Sequence, residues 1–283
     1  SIKRAFTEFC NSVPFYGYSI VCIDDPNVRS IVKDIESVCI TYGLSEDANL
    51  RGVNIKIKAP EDAKSLIERL GGTITEFTVI SQDERLGVKG TLGVVRLKTI
   101  GVHNVRNALG ACAVGLCLGI RFPIIIGGLE QFDGVRRRLQ VCGEEKAVLV
   151  IEDYAHHPTE INTTIDAVKL LNPGRLISVF QPHLYSRTKF FYQEFADALS
   201  QCDISVVTDI YPAREEPMEG VDSSLIVNSA REKGHKEFYL IRDMWEVPGF
   251  LVPRLRQGDV VLILGAGNIN KIAPKVLTEL KGE

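Results

Sequence analysis

Residues 147–160 read AVLVIEDYAHHPTE, and this stretch decides the fold. The apolar run at residues 147–151 is rich in β-branched side chains and predicts a buried strand. Pro158 then opens a helical pattern, because proline suits the first turn of a helix, where its missing N–H is not needed. A strand, a polar loop and a helix in this order predict one unit of a parallel α/β sheet.

The same alternation continues to the end of the chain. Further strands are predicted at residues 176–180, 204–208, 237–241 and 260–264. Helical patterns begin near Pro158, Thr188, Ser223, Met244 and Asn270. Residues 135–283 are therefore predicted to form a Rossmann-like domain with a mainly parallel sheet.

The first half, residues 1–134, is less regular and is predicted to be the carboxyl-terminal part of another α/β domain. Strands are expected at residues 20–23 and 38–42, a helix at 27–35, and β-rich sequence at 54–100 with a short helix at 61–70. This suits the edge of an α/β sheet plus a small antiparallel sheet. A helix over residues 104–118 would have Asn104 as its N-cap and Gly119 as its stop. Residues 131–138 are expected to form the hinge between the domains.

Composition limits the class of protein. The chain has 283 residues, 45% hydrophobic and 24% charged, as in a soluble globular protein. Its net charge of −3 lacks the basic footprint of a nucleic-acid binder. Seven cysteines without a CxxC pair indicate reduced thiols in a cytoplasmic protein. The longest apolar run, residues 111–129, contains Arg121 and Pro123, so no membrane insertion is expected.

Polar segments follow four of the predicted parallel strands. In such a sheet, ligands bind beyond the carboxyl ends of the strands, because loops converge there and helix N-termini offer unpaired N–H groups. We therefore expect Asp153, His156, His183, Arg187 and Gly265 to lie on one edge of the sheet.

Each of these motifs also has a simpler explanation. His156 and His157 with Glu160 could suggest zinc, but adjacent histidines point in different directions and the usual pair four residues apart on one helix face is absent. A short glycine turn such as residues 265–267 is weak evidence for a nucleotide.

Two further motifs, one basic and one polar, can each be interpreted either structurally or functionally. The arginine run at residues 136–138 is either a solvated charge run or a bidentate phosphate contact at a hinge. His103-Asn104-x-x-Asn107 could simply cap a helix.

Taken together, five segments carry a family resemblance. They are GVHNVRNA at 101–108, FDGVRRR at 132–138, DYAHHPTE at 153–160, FQPHLYSRT at 180–188 and GAGNI at 265–269. In type, order and spacing they resemble the Mur ligases over essentially the whole chain. The segments DYAHHP and FQPH, with PFYG at 14–17 and DDP at 24–26, resemble the alanine-adding branch of that family.

The resemblance implies an ATP-dependent ligase of peptidoglycan synthesis, with the chain covering the end of a central ATPase domain and the amino-acid-binding domain. ATP, with Mg²⁺, phosphorylates a substrate carboxylate, and an amine then attacks the acyl phosphate. This order is chemically sensible because a carboxylate is a poor acyl donor until its oxygen becomes a good leaving group. The implied small-molecule substrates are UDP-N-acetylmuramate and L-alanine.

The resemblance also implies roles for individual residues. Those beside the adenine are His103, Asn104 and Asn107. Those that reach the nucleotide from the second domain are Arg138 and Asp153. Those that line the amino-acid pocket are Tyr154, His156, His183 and Arg187. The implied catalytic residues are Arg138, Asp153 and His156.

Four features depart from the family pattern. The position of Leu184 can carry a second arginine in family members. The phosphate loop Gly-x-x-Gly-Lys-Thr, the magnesium ligands expected after it and the UDP-binding domain are not in these residues. We therefore expect the chain to be part of a longer enzyme and to be inactive alone.

Two rival functions stay open. One is a ligase that attaches recycled tripeptide to UDP-N-acetylmuramate, which would need a wider pocket than Tyr154 and Tyr185 leave. The other is a non-catalytic nucleotide-binding module, which the missing phosphate loop permits.

Overall fold

The computed structural model describes residues 2–282, which form two compact units. The first unit comprises the described residues up to Pro60 together with Gly72–Asp133, and the second comprises Glu61–Gly71 together with the residues from Gly134 onward. None of the helices within residues 2–282 is both long and apolar enough to cross a membrane.

The first unit is built on one five-stranded sheet. Its elements are α1 Ile2–Asn11, β1 Ser19–Cys22, α2 Pro26–Ile31, β2 Cys39–Gly43, β3 Leu50–Lys58, β4 Ile74–Ser81, β5 Gly90–Leu97, α4 Val102–Cys117 and α5 Phe122–Gln131. The helix α3, Leu66–Gly72, lies between β3 and β4 in the chain, and its residues up to Gly71 belong to the second unit.

The strands of this sheet follow one another in chain order, β1-β2-β3-β4-β5. The first three are parallel and the last three antiparallel. The predicted parallel edge and the small antiparallel part are both present, but they form one sheet, because β3 joins them. Leu50 and Arg51 pair with β2, while the whole strand pairs with β4.

The core of the first unit lies between this sheet and α4. Phe77, Val79 and Val95 of the sheet are fully buried, as are Val105 and Leu109 of the helix. They share one face of each element, which is the periodicity that predicts an amphipathic helix on a half-buried sheet.

The predicted cap of α4 is wrong in one detail. The N-cap is Gly101, with φ of 107°, and Asn104 lies inside the first turn. Its side-chain amide donates to the Ile100 carbonyl at 2.8 Å. Glycine takes this backbone conformation without the strain that a β-carbon would add. Gly119 ends the helix with φ of 73°, as predicted.

The second unit carries a six-stranded sheet. Its elements are β6 Gln140–Glu145, β7 Val148–Asp153, α6 Pro158–Lys169, β8 Arg175–Phe180, α7 Tyr185–Leu199, β9 Ile204–Val207, α8 Ser224–Glu232, β10 Phe238–Leu240, α9 Val247–Leu251, β11 Asp259–Leu264 and α10 Ala273–Lys281. Every residue of β7, β9 and β11 is buried, as expected for strands covered on both faces.

The strand order is β10-β9-β8-β11-β7-β6. All five predicted strands, β7 to β11, are parallel, and β6 adds an antiparallel edge that the sequence did not reveal. The predicted mainly parallel α/β fold is therefore confirmed. The carboxyl ends of the parallel strands meet at one edge, which places the segments that carry Asp153, His156, His183, Arg187 and Gly265 on the same rim, as expected.

Candidate functional site

Asp153 ends β7 and holds the chain on either side of it. Its carboxylate accepts the N–H of Leu139 at 2.8 Å and that of Ala155 at 2.8 Å. Burial raises the pKa of this carboxyl, while the two amide donors and the charge of Arg138 lower it. Through Leu139, Asp153 fixes the segment that carries Arg138.

The loop after β7 is fixed by the first turn of α6. Glu160 accepts the backbone N–H of His156 at 2.9 Å and that of His157 at 3.2 Å. The His157 ring in turn accepts the Thr159 N–H at 3.3 Å, which completes a capping box. His157 thus caps α6 through its Nδ1.

His156 is oriented by two neighbours. Its Nδ1 lies 2.8 Å from the Tyr154 carbonyl and 3.3 Å from a Glu160 oxygen. The carbonyl can only accept, so Nδ1 carries the proton in the neutral ring and Nε2 presents a lone pair. The ring lies 5.3 Å from that of Tyr154 and 5.8 Å from that of His183, centroid to centroid.

His183 follows β8 in a loop that is tied to the loop after β9. It forms an isolated β-bridge with Tyr211, and the two rings stack at 5.7 Å. Its Nδ1 is buried without a hydrogen-bond partner among residues 2–282. Burial lowers the pKa of His183, and the charges of Arg187 and His156 lower it further. The surroundings of the ring therefore disfavour its charged form.

Arg187 lies in the first turn of α7, beside His183. Its guanidinium makes only a long contact of 3.5 Å with the His183 carbonyl. Within the described part of the chain it forms no ion pair with a carboxylate. The same loop holds Leu184 at φ of 75°. Arg187 is thus the cation of this loop, half-buried and available to an anion.

The turn after β11 is held by Gln181, which the sequence motif did not single out. Its side-chain oxygen accepts the N–H groups of Asn268 at 3.1 Å and Ile269 at 3.2 Å. Its amide donates to Asn268 Oδ1 at 3.0 Å. Gly265, at φ of 150°, donates its N–H to the Asp153 carbonyl at 3.1 Å. The glycine turn therefore joins β7 and β8 at the rim.

We expect Gly267→Ala to destabilise the second unit by about 2–3 kcal/mol, the usual range for overpacking a close contact. A β-carbon at Gly267 would collide with Gln181 Oε1 and lie 2.7 Å from Tyr211 Cγ. Urea unfolding of the chain would measure the loss. Gly249→Ala is a matched control, since its β-carbon would meet nothing within 4 Å. Equal stability of the two variants would contradict the packing described here.

Two arginines flank Tyr154. The Arg137 guanidinium lies 4.7 Å from the Tyr154 ring centroid and that of Arg138 lies 5.8 Å from it. Arg137 donates to the carbonyls of Gly265 and Gly267, whereas the side chain of Arg138 is 51% exposed and has one ion pair, with Glu160 at 3.9 Å. The two arginines are therefore not equivalent: Arg137 is committed to the fold, and Arg138 is only weakly paired.

The residues predicted to lie beside adenine belong to the first unit. His103, Asn104 and Asn107 share the first turns of α4, and the Asn107 amide contacts Asn104 Oδ1 at 3.4 Å. On the same helix, Arg106 is paired with the carboxylate of Asp24 at 2.7 Å. No group of three or more His, Cys, Asp or Glu side chains within residues 2–282 is arranged to hold a metal ion.

Two family profiles match the chain. The Mur ligase middle domain matches residues 1–115, and the Mur ligase glutamate ligase domain matches residues 137–267. Together they cover both units.

Similar proteins agree with these matches. The UDP-N-acetylmuramate–L-alanine ligase of Salinibacter ruber is 44% identical over 95% of this chain and 53% of its own length. That of Syntrophus aciditrophicus is 38% identical over 99% of this chain and 54% of its own length. The chain thus spans about half the length of the curated relatives it matches.

Solved structures show the same fold. The UDP-N-acetylmuramate–alanine ligase of Thermotoga maritima matches with a TM-score of 0.71 and 22% identity, over 99% of this chain and 54% of that one. The MurF ligase of Thermotoga maritima in complex with ADP matches with a TM-score of 0.70 and 21% identity, over 99% of this chain and 58% of that one. With both family domains matched in order along one chain, this protein belongs to the Mur ligase family.

Proposed function

We propose that this chain is the carboxyl-terminal part of an ATP-dependent ligase that joins L-alanine to UDP-N-acetylmuramate through an acyl phosphate. Relatives that bear this activity in their names support the choice, at 36–44% identity over most of the chain. We expect it to act in the cytoplasm on small molecules, with ATP and Mg²⁺.

The observation that carries the proposal is the uncommitted guanidinium of Arg187. It is half-buried beside His183 and forms no ion pair among the described residues, although its charge, after the hydrogen bonds from Ser186, helps to lower the pKa of the Glu215 carboxyl. A planar guanidinium in this state suits the α-carboxylate of an amino acid, which it can bind through two parallel hydrogen bonds.

We assign the rest of the pocket to the neighbouring rings. Tyr154 and His156 follow β7 and His183 follows β8; the three rings neighbour one another in that order, and His183 contacts the cation. We propose that they leave room for a methyl side chain and limit larger ones. His156, with its Nε2 lone pair, would accept the proton that the attacking ammonium must lose.

ATP, with Mg²⁺ bound to its phosphates, would supply the phosphoryl group that activates the carboxylate of UDP-N-acetylmuramate. For the nucleotide we propose His103, Asn104 and Asn107 in the first unit, and Arg138 in the second. Arg138 fits a phosphate contact because it is exposed and only weakly paired. Asp153 would act here chiefly as a positioning residue, through the Leu139 amide that it holds.

The direct test is phosphate release by the full-length enzyme with ATP, UDP-N-acetylmuramate and a panel of alanine, serine, glycine, valine and a tripeptide. We expect alanine to give the highest kcat/KM, with valine lower by about 10- to 200-fold for its added carbons. Preference for the tripeptide would favour the recycling ligase instead.

Calorimetric titration addresses the other rival. This chain, mixed with ATP alone, should show no tight binding if the phosphate loop lies elsewhere in the enzyme. An ATP affinity equal to that of the full-length enzyme would favour an independent nucleotide-binding module.

A further inference from the structure

Arg137 connects three separate segments of the second unit. Its backbone N–H donates to Gln140 Oε1 at 2.7 Å, and its carbonyl accepts the Tyr154 N–H at 2.7 Å. Its guanidinium donates to the carbonyls of Gly265 at 2.7 Å and Gly267 at 3.2 Å. The segment before β6, the loop after β7 and the turn after β11 thus meet at this one residue.

The surroundings of the guanidinium show that it is committed to this position. It lies over the Tyr154 ring at 4.7 Å, a distance typical of a cation–π contact. Its Nε is buried with no hydrogen-bond partner among residues 2–282. Burial raises the pKa of the nearby Glu152 carboxyl, and the charge of Arg137 lowers it in part. The backbone of Arg137 also takes φ of 59°, which is uncommon for a residue with a β-carbon.

We propose that Arg137 is a positioning residue for the amino-acid pocket, because it holds the Tyr154 ring against the Gly265–Gly267 turn. This inference rests on the proposed function only for its effect on alanine. Arg137 contacts Tyr154 twice, through the ring face at 4.7 Å and through its carbonyl, which accepts the Tyr154 N–H at 2.7 Å. Lysine could keep the charge but not the flat group that stacks on the ring while serving two carbonyls.

Amide hydrogen exchange in this chain tests the contact without any assay of activity. Arg137→Lys should speed exchange about tenfold in residues 153–156 and 265–268, because local opening needs fewer broken contacts there. Arg254→Lys is a matched control, since Arg254 lies 3.9 Å from the Phe250 ring centroid and donates to the Phe250 carbonyl. It lies before β11, at the opposite edge of the sheet, and should leave both segments unchanged. Unchanged exchange in Arg137→Lys overturns the proposal.

Kinetics of the full-length enzyme test the consequence for the pocket. Arg137→Met and Tyr154→Leu should each raise the KM for alanine about tenfold, and the double variant should show nearly the same rise, because both remove one shared contact. The KM for ATP should stay within about twofold in all three variants. A purely structural role would instead give additive losses and a fall in kcat without a change in KM.

The two measurements separate the possible failures. If exchange quickens but the KM for alanine is unchanged in an active enzyme, Arg137 is structural and the proposal is wrong. If the unmodified enzyme does not use alanine, the proposed function fails, and the exchange result alone then decides whether Arg137 holds Tyr154.

Discussion

Replacing Arg187 by alanine in the full-length enzyme is expected to lower kcat/KM for L-alanine by about 30- to 1000-fold, or roughly 2–4 kcal/mol. An α-carboxylate that enters the pocket gives up water and needs fixed donors in return. Arg187 is the cation that the second unit offers beside His183, and Leu184 supplies none. The KM for ATP should stay within about threefold, because the proposed nucleotide contacts involve other residues.

Two further variants sharpen this test. Arg187→Lys should give an intermediate loss, since an ammonium keeps the charge but cannot bind a carboxylate through two parallel hydrogen bonds. Lys189→Ala removes an exposed cation from the same helix and should leave both constants within about twofold. Equal losses for ATP and alanine in Arg187→Ala would show that the pocket is assigned to the wrong residues.

Arg138→Ala is expected to raise the KM for ATP or lower kcat by about tenfold to a thousandfold. This range corresponds to the loss of a charge-assisted phosphate contact of roughly 1.5–4 kcal/mol. The side chain of Arg138 is 51% exposed, and its ion pair with Glu160 is long, at 3.9 Å. Removing this side chain should therefore disturb the fold only slightly.

Arg242→Ala is the matched control for this variant. The side chain of Arg242 is 54% exposed, close to that of Arg138, but it is paired with Asp209 at 2.9 Å and Asp222 at 3.2 Å. Its positive charge is already neutralised, so its loss should leave the ATP kinetics unchanged. If Arg138→Ala behaved in the same way, the arginine run would be a solvated hinge.

Local patterns predicted the parallel sheet of the second unit because each strand is a short apolar run followed by a helical pattern. The strand β6 was missed because its sequence, QVCGEE, is mostly polar and small, and all its residues are only half-buried. An edge strand with one neighbour needs little apolar surface, so such a strand leaves a weak signal. In the first unit, the continuity of β3 across two kinds of pairing depends on contacts that local periodicity does not encode.

The sequence predicted which residues lie on the rim of the candidate site, but not the separate roles of those residues. Topology places Asp153, His183 and Gly265 at one edge of the sheet once the strands are known. The different roles of Arg137 and Arg138 depend on the carbonyls of Gly265 and Gly267, which lie 128 and 130 residues further along the chain than Arg137. A local motif does not encode contacts between residues so far apart in the chain. The sequence therefore could not distinguish Arg137 from Arg138.

The position of β11 in the sheet has a consequence for how the second unit folds. β11 lies between β7 and β8, yet it follows both in the chain, after β9 and β10. β7 and β8 therefore have no hydrogen bonds to each other, and each lacks this neighbour in the sheet until β11 has been added between them. Such non-local pairing slows folding, because closing a long loop costs conformational entropy before the stabilising contacts between the strands can form. During synthesis, the edge of β7 that pairs with β11 stays unpaired until more than a hundred residues have followed, which favours misassembly before the chain is complete.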